Sequence, residues 1–132
     1  MAYEVEKVNH LACNAPTIMP FIAGGALAKG ALVGFTSGKL ALATADVRIL
    51  GILLEAAGAD NDVRSVEVLG PEALIRIHCT SAPQAGLRYD VKSDGLELDQ
   101  ADTTKYKLEV LEYDSVSAYA ICRIVNYAQI AA

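Results

Sequence analysis

The chain has 132 residues, enough for one domain with a single hydrophobic core. Its net charge is −5 and its Lys and Arg residues are scattered, which argues against a direct nucleic-acid partner because phosphate binding needs clustered positive charge. The longest apolar run is interrupted by proline and glycine and is too short to span a bilayer, so no membrane partner is predicted. Three cysteines without a Cys-x-x-Cys spacing predict a reducing compartment rather than a disulfide scaffold.

The first 28 residues differ in pattern from the rest of the chain. Residues 2–8 alternate as a short strand would, and residues 15–28 are rich in Pro, Gly and Ala without a clear period. We predict an extended N-terminal arm over residues 1–28 and a β-rich domain over residues 29–132. An apolar arm is not stable alone in water, so it packs either on a neighbouring molecule or on its own domain.

From residue 30 onward, short apolar stretches alternate with turn-forming residues. Most stretches have a period of two, and none has a helical stripe. The predicted strands cover residues 31–35, 39–43, 49–56, 63–70, 71–80, 87–91, 106–114 and 116–127. This pattern predicts a small single-domain all-β fold, either a β-barrel (β-tulip-like) or a sandwich.

Two segments of the chain are similar to each other. Residues 34–46 (GFTSGKLALATAD) and residues 90–102 (DVKSDGLELDQAD) share a Ser, two Leu, an Ala and an Asp at matching positions. The shared positions are turn formers and alternate apolar residues, which predict a repeated hairpin rather than a repeated binding site. The two predicted hairpin units cover residues 30–56 and 86–112.

No set of residues matches a catalytic or metal-binding pattern. His78 and Cys79 are adjacent, so on a strand they point to opposite faces and do not share a metal ion. Cys79 and Cys122 fall on apolar faces, which predicts buried free thiols. The run GADND at residues 58–62 lacks the EF-hand pattern, so we predict a polar turn there. The sequence therefore predicts a protein that is not an enzyme and has no catalytic residues, metal or cofactor.

The strand and turn pattern of residues 26–125 resembles that of small capsid decoration (cement) proteins of tailed bacteriophages. The similar stretches are GALVGF, KLALA, ILGILLEAA, VEVLG and the hairpin AGLRYDVKSDG. The resemblance implies a structural virion protein that binds the exterior of the mature phage capsid and clamps adjacent subunits of the major capsid protein. It also implies a homotrimer located on the outer capsid surface after synthesis in the bacterial host cytoplasm.

The N-terminal arm is the predicted docking segment, because a strand-forming arm can add to the sheet edge of a neighbour. We assign partner binding, to the capsid or a neighbouring subunit, to seven residues of the arm: Tyr3, Val5, Val8, Pro16, Ile18, Pro20 and Phe21.

Two other hypotheses remain open at the level of sequence. A carbohydrate- or ligand-binding β-barrel module on a phage head or cell surface would present exposed aromatic rings to sugars. Its candidates are the four residues Tyr89, Tyr113, Tyr119 and Tyr127, which would have to cluster on one flat surface. A small enzyme built around His78 would need a cleft and a polar partner for the histidine.

Overall fold

Strands make up the regular structure of the chain in a computed structural model, which describes residues 3–8, 16–70, 73–102 and 104–126. The strands are β1 (Glu6–Lys7), β2 (Thr17–Gly24), β3 (Leu32–Thr36), β4 (Lys39–Leu42), β5 (Gly51–Leu53), β6 (Asp60–Val68), β7 (Leu74–His78), β8 (Arg88–Val91), β9 (Leu98–Asp99), β10 (Leu108–Asp114) and β11 (Tyr119–Ile124). The predicted all-β, single-domain fold is confirmed. The described residues contain no helix long and apolar enough to cross a membrane.

Strands β2 to β6 form a closed barrel in the order β2-β4-β3-β5-β6. Strand β2 pairs antiparallel with β6 along its length, but it pairs with β4 at one position only, Ala23 with Leu40. Alternate residues of these strands point inward and form a small apolar core. The buried members of this core are Ala23, Leu27, Val33, Leu40, Leu53, Ala57 and Val66.

The other six strands form a curled sheet in the order β1-β7-β11-β10-β8-β9. An isolated parallel bridge between His78 and Glu97 brings the β9 end of this sheet back towards β7. The larger core of the protein lies inside this curl and includes Val5, Leu32, Ile49, Ile75, Ile77, Cys79, Val91, Leu98, Leu108, Val110 and Cys122. Leu32 and Ile49 belong to the barrel half, so this core also joins the two halves of the domain.

The two halves repeat one topology. The order β2-β4-β3-β5-β6 of the barrel recurs as β7-β9-β8-β10-β11 in the sheet, with the β7–β9 contact reduced to the single bridge. The register of the paired strands also recurs. Ile18 lies opposite Glu67, and the two residues 56 positions further along the chain, Leu74 and Arg123, also lie opposite each other. We call residues 16–70 unit 1 and residues 73–126 unit 2. The hairpins predicted at residues 30–56 and 86–112 lie within these units.

The turns explain where the two hairpins differ. In unit 1, Ser37 and Gly38 both have positive φ, 51° and 81°, as a two-residue type I′ turn requires. In unit 2, a longer loop joins β8 to β9, and Gly95 has the positive φ, 72°. The second hairpin therefore has a longer connection and fewer paired residues than the first, although the strands are antiparallel in both.

The segment predicted as an extended arm is built into the domain wherever the structure describes it. Residues 17–24 form β2, which lies between β6 and β4 and closes the barrel. The Val5 N–H donates to the Gly30 carbonyl at 2.9 Å, and the Val5 side chain is buried in the larger core. Where the structure describes the arm, it packs on its own domain: one edge of β2 pairs with β6 along its length, and Ala23 pairs with Leu40 of β4.

Candidate interaction surface

An uncharged apolar strip lies on the outside of the barrel. Ile18, Pro20 and Ile22 share the outer face of β2, and Val63 lies opposite Ile22 on β6. Ile18, Ile22 and Val63 are 53%, 48% and 57% exposed. Leaving this much contiguous apolar surface in water is unfavourable, and such patches commonly mark binding surfaces. We call these four residues the β2 strip.

The charges at the two ends of the β2 strip are each paired with an opposite charge. At one end, Glu67 lies opposite Ile18, and its carboxylate is 3.6 Å from the Lys7 ammonium. At the other end, Asp60 lies opposite Gly24 and is 3.1 Å from the Lys39 ammonium. A partner therefore meets an apolar surface along the strip, and the charges at its two ends already have partners of their own.

One edge of β2 is open beside the strip. Ser65, which lies opposite Pro20, accepts the Leu54 N–H at 3.0 Å and so directs its backbone groups to β5 rather than β2. The pairs that exchange hydrogen bonds between β2 and β6 are therefore those on either side of Pro20, at Met19 and Phe21. The backbone groups of Ile18 and Pro20 consequently point to the opposite edge. Among the described residues, no strand pairs with that edge before Ala23. Such unpaired groups are a template for strand addition.

The first three predicted docking residues lie against the chain's own domain. Val5 is 3% exposed, and its side chain packs in the larger core of its own domain. The Val8 N–H donates to the Leu74 carbonyl at 2.9 Å. The Tyr3 ring stacks on the His78 ring with 3.6 Å between ring centroids. These contacts anchor the N-terminal segment to its own domain.

The other four predicted docking residues lie together on unit 1. Pro16, Ile18 and Pro20 are exposed, and the half-buried Phe21 ring meets the Phe35 ring edge-on with 5.2 Å between centroids. Ile22 is not among the predicted docking residues, although it continues the period-two pattern of Ile18 and Pro20. Val63 lies outside the arm, and only the register of β2 with β6 brings it to this surface.

His78 is held in a packed cluster rather than at a cleft. Its Nδ1 atom lies 2.7 Å from a Glu97 carboxylate oxygen, and its ring is covered by Tyr3 and met edge-on by Tyr119. The polar partner that an enzyme would need is therefore present. However, His78 does not line the ≈ 400 Å³ cleft between β1 and β5, which is bordered by residues such as Glu4 and Leu54.

The tyrosines needed by a sugar-binding module do not form a shared platform in the described chain. Tyr89 is 6% exposed and belongs to the larger core. Tyr113 packs against the same core, and the Arg76 guanidinium covers the Tyr119 ring at 4.3 Å. Tyr127 lies outside the described residues, as do His10 and Cys13.

Neither the carboxylates nor the thiols of the described residues assemble a metal site. No group of three or more His, Cys, Asp or Glu residues there is arranged to hold an ion. The Asp62 carboxylate instead accepts the N–H groups of Gly58 and Ala59, at 2.9 and 3.1 Å, and these bonds lower the pKa of Asp62. The GADND segment is thus a polar turn held by its own backbone.

Cys79 and Cys122 are expected to resist alkylation in the folded protein. Burial raises the pKa of the Cys79 thiol to about 11 and raises the pKa of Cys122 further above its usual range, so both stay protonated near neutral pH. Iodoacetamide at pH 8, followed by peptide mass spectrometry, should find both unmodified in buffer and both modified in guanidinium chloride. Modification of either thiol in buffer would show that its site opens readily.

No protein-family model matches the chain, and a search of curated proteins finds no match. Inference about function therefore rests on the geometry of the described residues. Their most distinctive surface is the β2 strip, with paired charges at both ends and an open strand edge beside it. An exposed apolar surface of this kind is typical of protein–protein recognition.

Proposed function

We propose that the chain is a structural virion protein that binds the exterior of a mature phage capsid and stabilises it by clamping adjacent major capsid protein subunits. The observation that supports this proposal most is the exposed β2 strip on unit 1. An apolar strip flanked by self-neutralised ion pairs suits a broad protein surface better than a small polar substrate.

Clamping requires a second contact surface on the same molecule. Unit 2 offers one at Leu87 and Leu111, which are 43% and 44% exposed and lie on neighbouring segments, since the Val110 N–H donates to the Leu87 carbonyl. We propose that this second surface serves another capsid subunit or a further copy of the chain in a homotrimer. The protein would then act on the outer capsid surface, after synthesis in the bacterial host cytoplasm and without bound nucleic acid, membrane or cofactor.

Purified protein is expected to co-sediment with expanded, undecorated heads of its phage and to raise their resistance to heat. Val63→Lys should weaken binding about tenfold or more, because the ammonium would be buried in the contact without a partner. Val116→Lys is the matched control, since Val116 is 94% exposed at the tip of the β10–β11 turn. Heads that gain neither protein nor heat resistance would contradict the proposal.

A further inference from the structure

We propose that the open edge of β2 accepts one extended, uncharged strand, supplied by the major capsid protein. The strand would add to β2 in the way that β1 adds to β7 within this chain. The identity of the partner rests on the proposed function, whereas the strand-accepting edge rests on the geometry of β2 alone.

Unit 2 shows that this type of edge is competent for strand addition. Strand β1 lies antiparallel on β7, with Glu6 opposite Arg76 and Lys7 opposite Ile75. The Val8 N–H donates to the Leu74 carbonyl at 2.9 Å. Leu74 is the unit 2 counterpart of Ile18, so the edge that is filled on β7 corresponds to the open edge of β2.

Charge indicates which kind of strand this edge would accept. On β7, the Arg76 guanidinium lies 3.0 Å from the Glu6 carboxylate of the added strand. The counterpart of Arg76 in unit 1 is Pro20, and the counterpart of His78 is Ile22, so β2 has no cation to pair with an acidic strand. The charges at the ends of the strip are already paired. A complementary strand is therefore uncharged, with apolar side chains facing Ile18 and Ile22.

Neither β1 nor β2 of a second copy fits this edge well. The N-terminal segment carrying β1 is held on β7 by its ion pair, its backbone bond and the stacking of Tyr3 on His78. Two β2 edges facing each other would bring together two strands that each lack a donor at Pro20, and proline on an edge strand disfavours such pairing. An added strand that contains no proline would lose only one hydrogen bond at this edge, the one that the missing N–H of Pro20 would have donated.

The direct test uses two synthetic peptides and the full chain labelled with nitrogen-15. The first peptide is acetyl-Thr-Val-Thr-Val-Thr-Val-Thr-amide, which is uncharged, and the second copies residues 3–8. We expect the uncharged peptide to shift the amide signals of Ile18 and Ile22 saturably and to slow their hydrogen exchange about tenfold. The charged peptide should leave both amides unchanged at the same concentration.

Substitutions at one position separate the edge from the strip. Ile18→Pro removes an N–H that points away from β6, so it should abolish peptide binding while leaving the fold intact. Ile18→Val keeps the N–H and should bind as the unchanged chain does. Thermal unfolding checks that Ile18→Pro folds; if it does not, Ile22→Lys should lose peptide binding while folding normally, because its side chain is already half exposed.

In the peptide and sedimentation-velocity measurements, three outcomes would overturn the inference. The first is no saturable change at Ile18 and Ile22, and the second is an equal response to both peptides. The third is a sedimentation-velocity dimer that Ile18→Lys dissociates, which would make a second copy the occupant. Peptide binding without head binding would support the strand-accepting edge and overturn the capsid partner. Head binding unaffected by Ile18→Pro would support the proposed function and overturn the edge.

Discussion

Replacing Lys107 with methionine is expected to lower the free energy of unfolding by about 3–5 kcal/mol, the cost typical of breaking a buried ion pair from one side. The Lys107 and Asp90 side chains are 0% and 2% exposed and are bonded to each other. The Lys107 ammonium also donates to the carbonyls of Ala45 and Lys105, at 2.7 and 3.1 Å. Methionine fills a similar volume but leaves the Asp90 carboxylate buried without a cation.

Urea unfolding of two further variants isolates that cause. Lys105→Met makes the same substitution two residues away, in an exposed pair with Asp46, and should leave the urea midpoint nearly unchanged. Combining Asp90→Asn with Lys107→Met removes the negative charge that Lys107→Met leaves buried without a cation. The double variant should therefore recover most of the lost free energy of unfolding. Equal costs for Lys107→Met and Lys105→Met would show that burial of the pair has little influence on stability.

The same lysine connects the two units. Lys107 belongs to unit 2, whereas the Ala45 carbonyl that it bonds belongs to unit 1. Nearby, the Asn126 amide bonds both backbone groups of Ile49, at 2.9 and 3.0 Å. Because these polar bonds and the larger core cross the junction, we expect both units to unfold in one transition rather than separately.

The strand pattern of the domain was predictable from the sequence because one face of most strands is buried. Strand β7 shows the reason: Ile75 and Ile77 are buried, while Leu74 and Arg76 are partly exposed. The early part of β2 gives no such signal, since all of residues 16–20 are exposed and Pro20 resembles a strand breaker. Only its pairing with β6 identifies it as a strand of the barrel.

Residues whose roles depend on distant segments were not predictable. Val63 joins the β2 strip through the register with β6, and no local pattern marks it. Lys107 alternates with Leu108, a pattern typical of the polar face of a strand, yet it is fully buried. The Ala45 carbonyl from unit 1 and the Asp90 carboxylate from a neighbouring strand create its polar site.

Gly34→Ala is expected to destabilise the protein by about 3 kcal/mol and to lower the melting temperature by about 10 °C. Gly34 is the unit 1 counterpart of Asp90, and the backbone of Arg48 packs directly against it. A Cβ atom at Gly34 would lie 1.9 Å from the Arg48 carbonyl oxygen and 2.7 Å from Val47 Cγ1. The oxygen belongs to the main chain and cannot rotate away, so the backbone of residues 47–48 would have to shift.

Calorimetry of Gly34→Ala beside Gly58→Ala tests this explanation. A Cβ atom at Gly58 meets only the Asp62 carboxylate, at 3.7 Å, an ordinary contact. Neither glycine has a positive φ, so both alanines are free of backbone strain and the two variants differ in crowding alone. Gly58→Ala should stay within about 0.5 kcal/mol of the unchanged chain. Matching melting temperatures would mean that residues 47–48 can move off Gly34 at little cost, and that the close packing there does not hold unit 1 together.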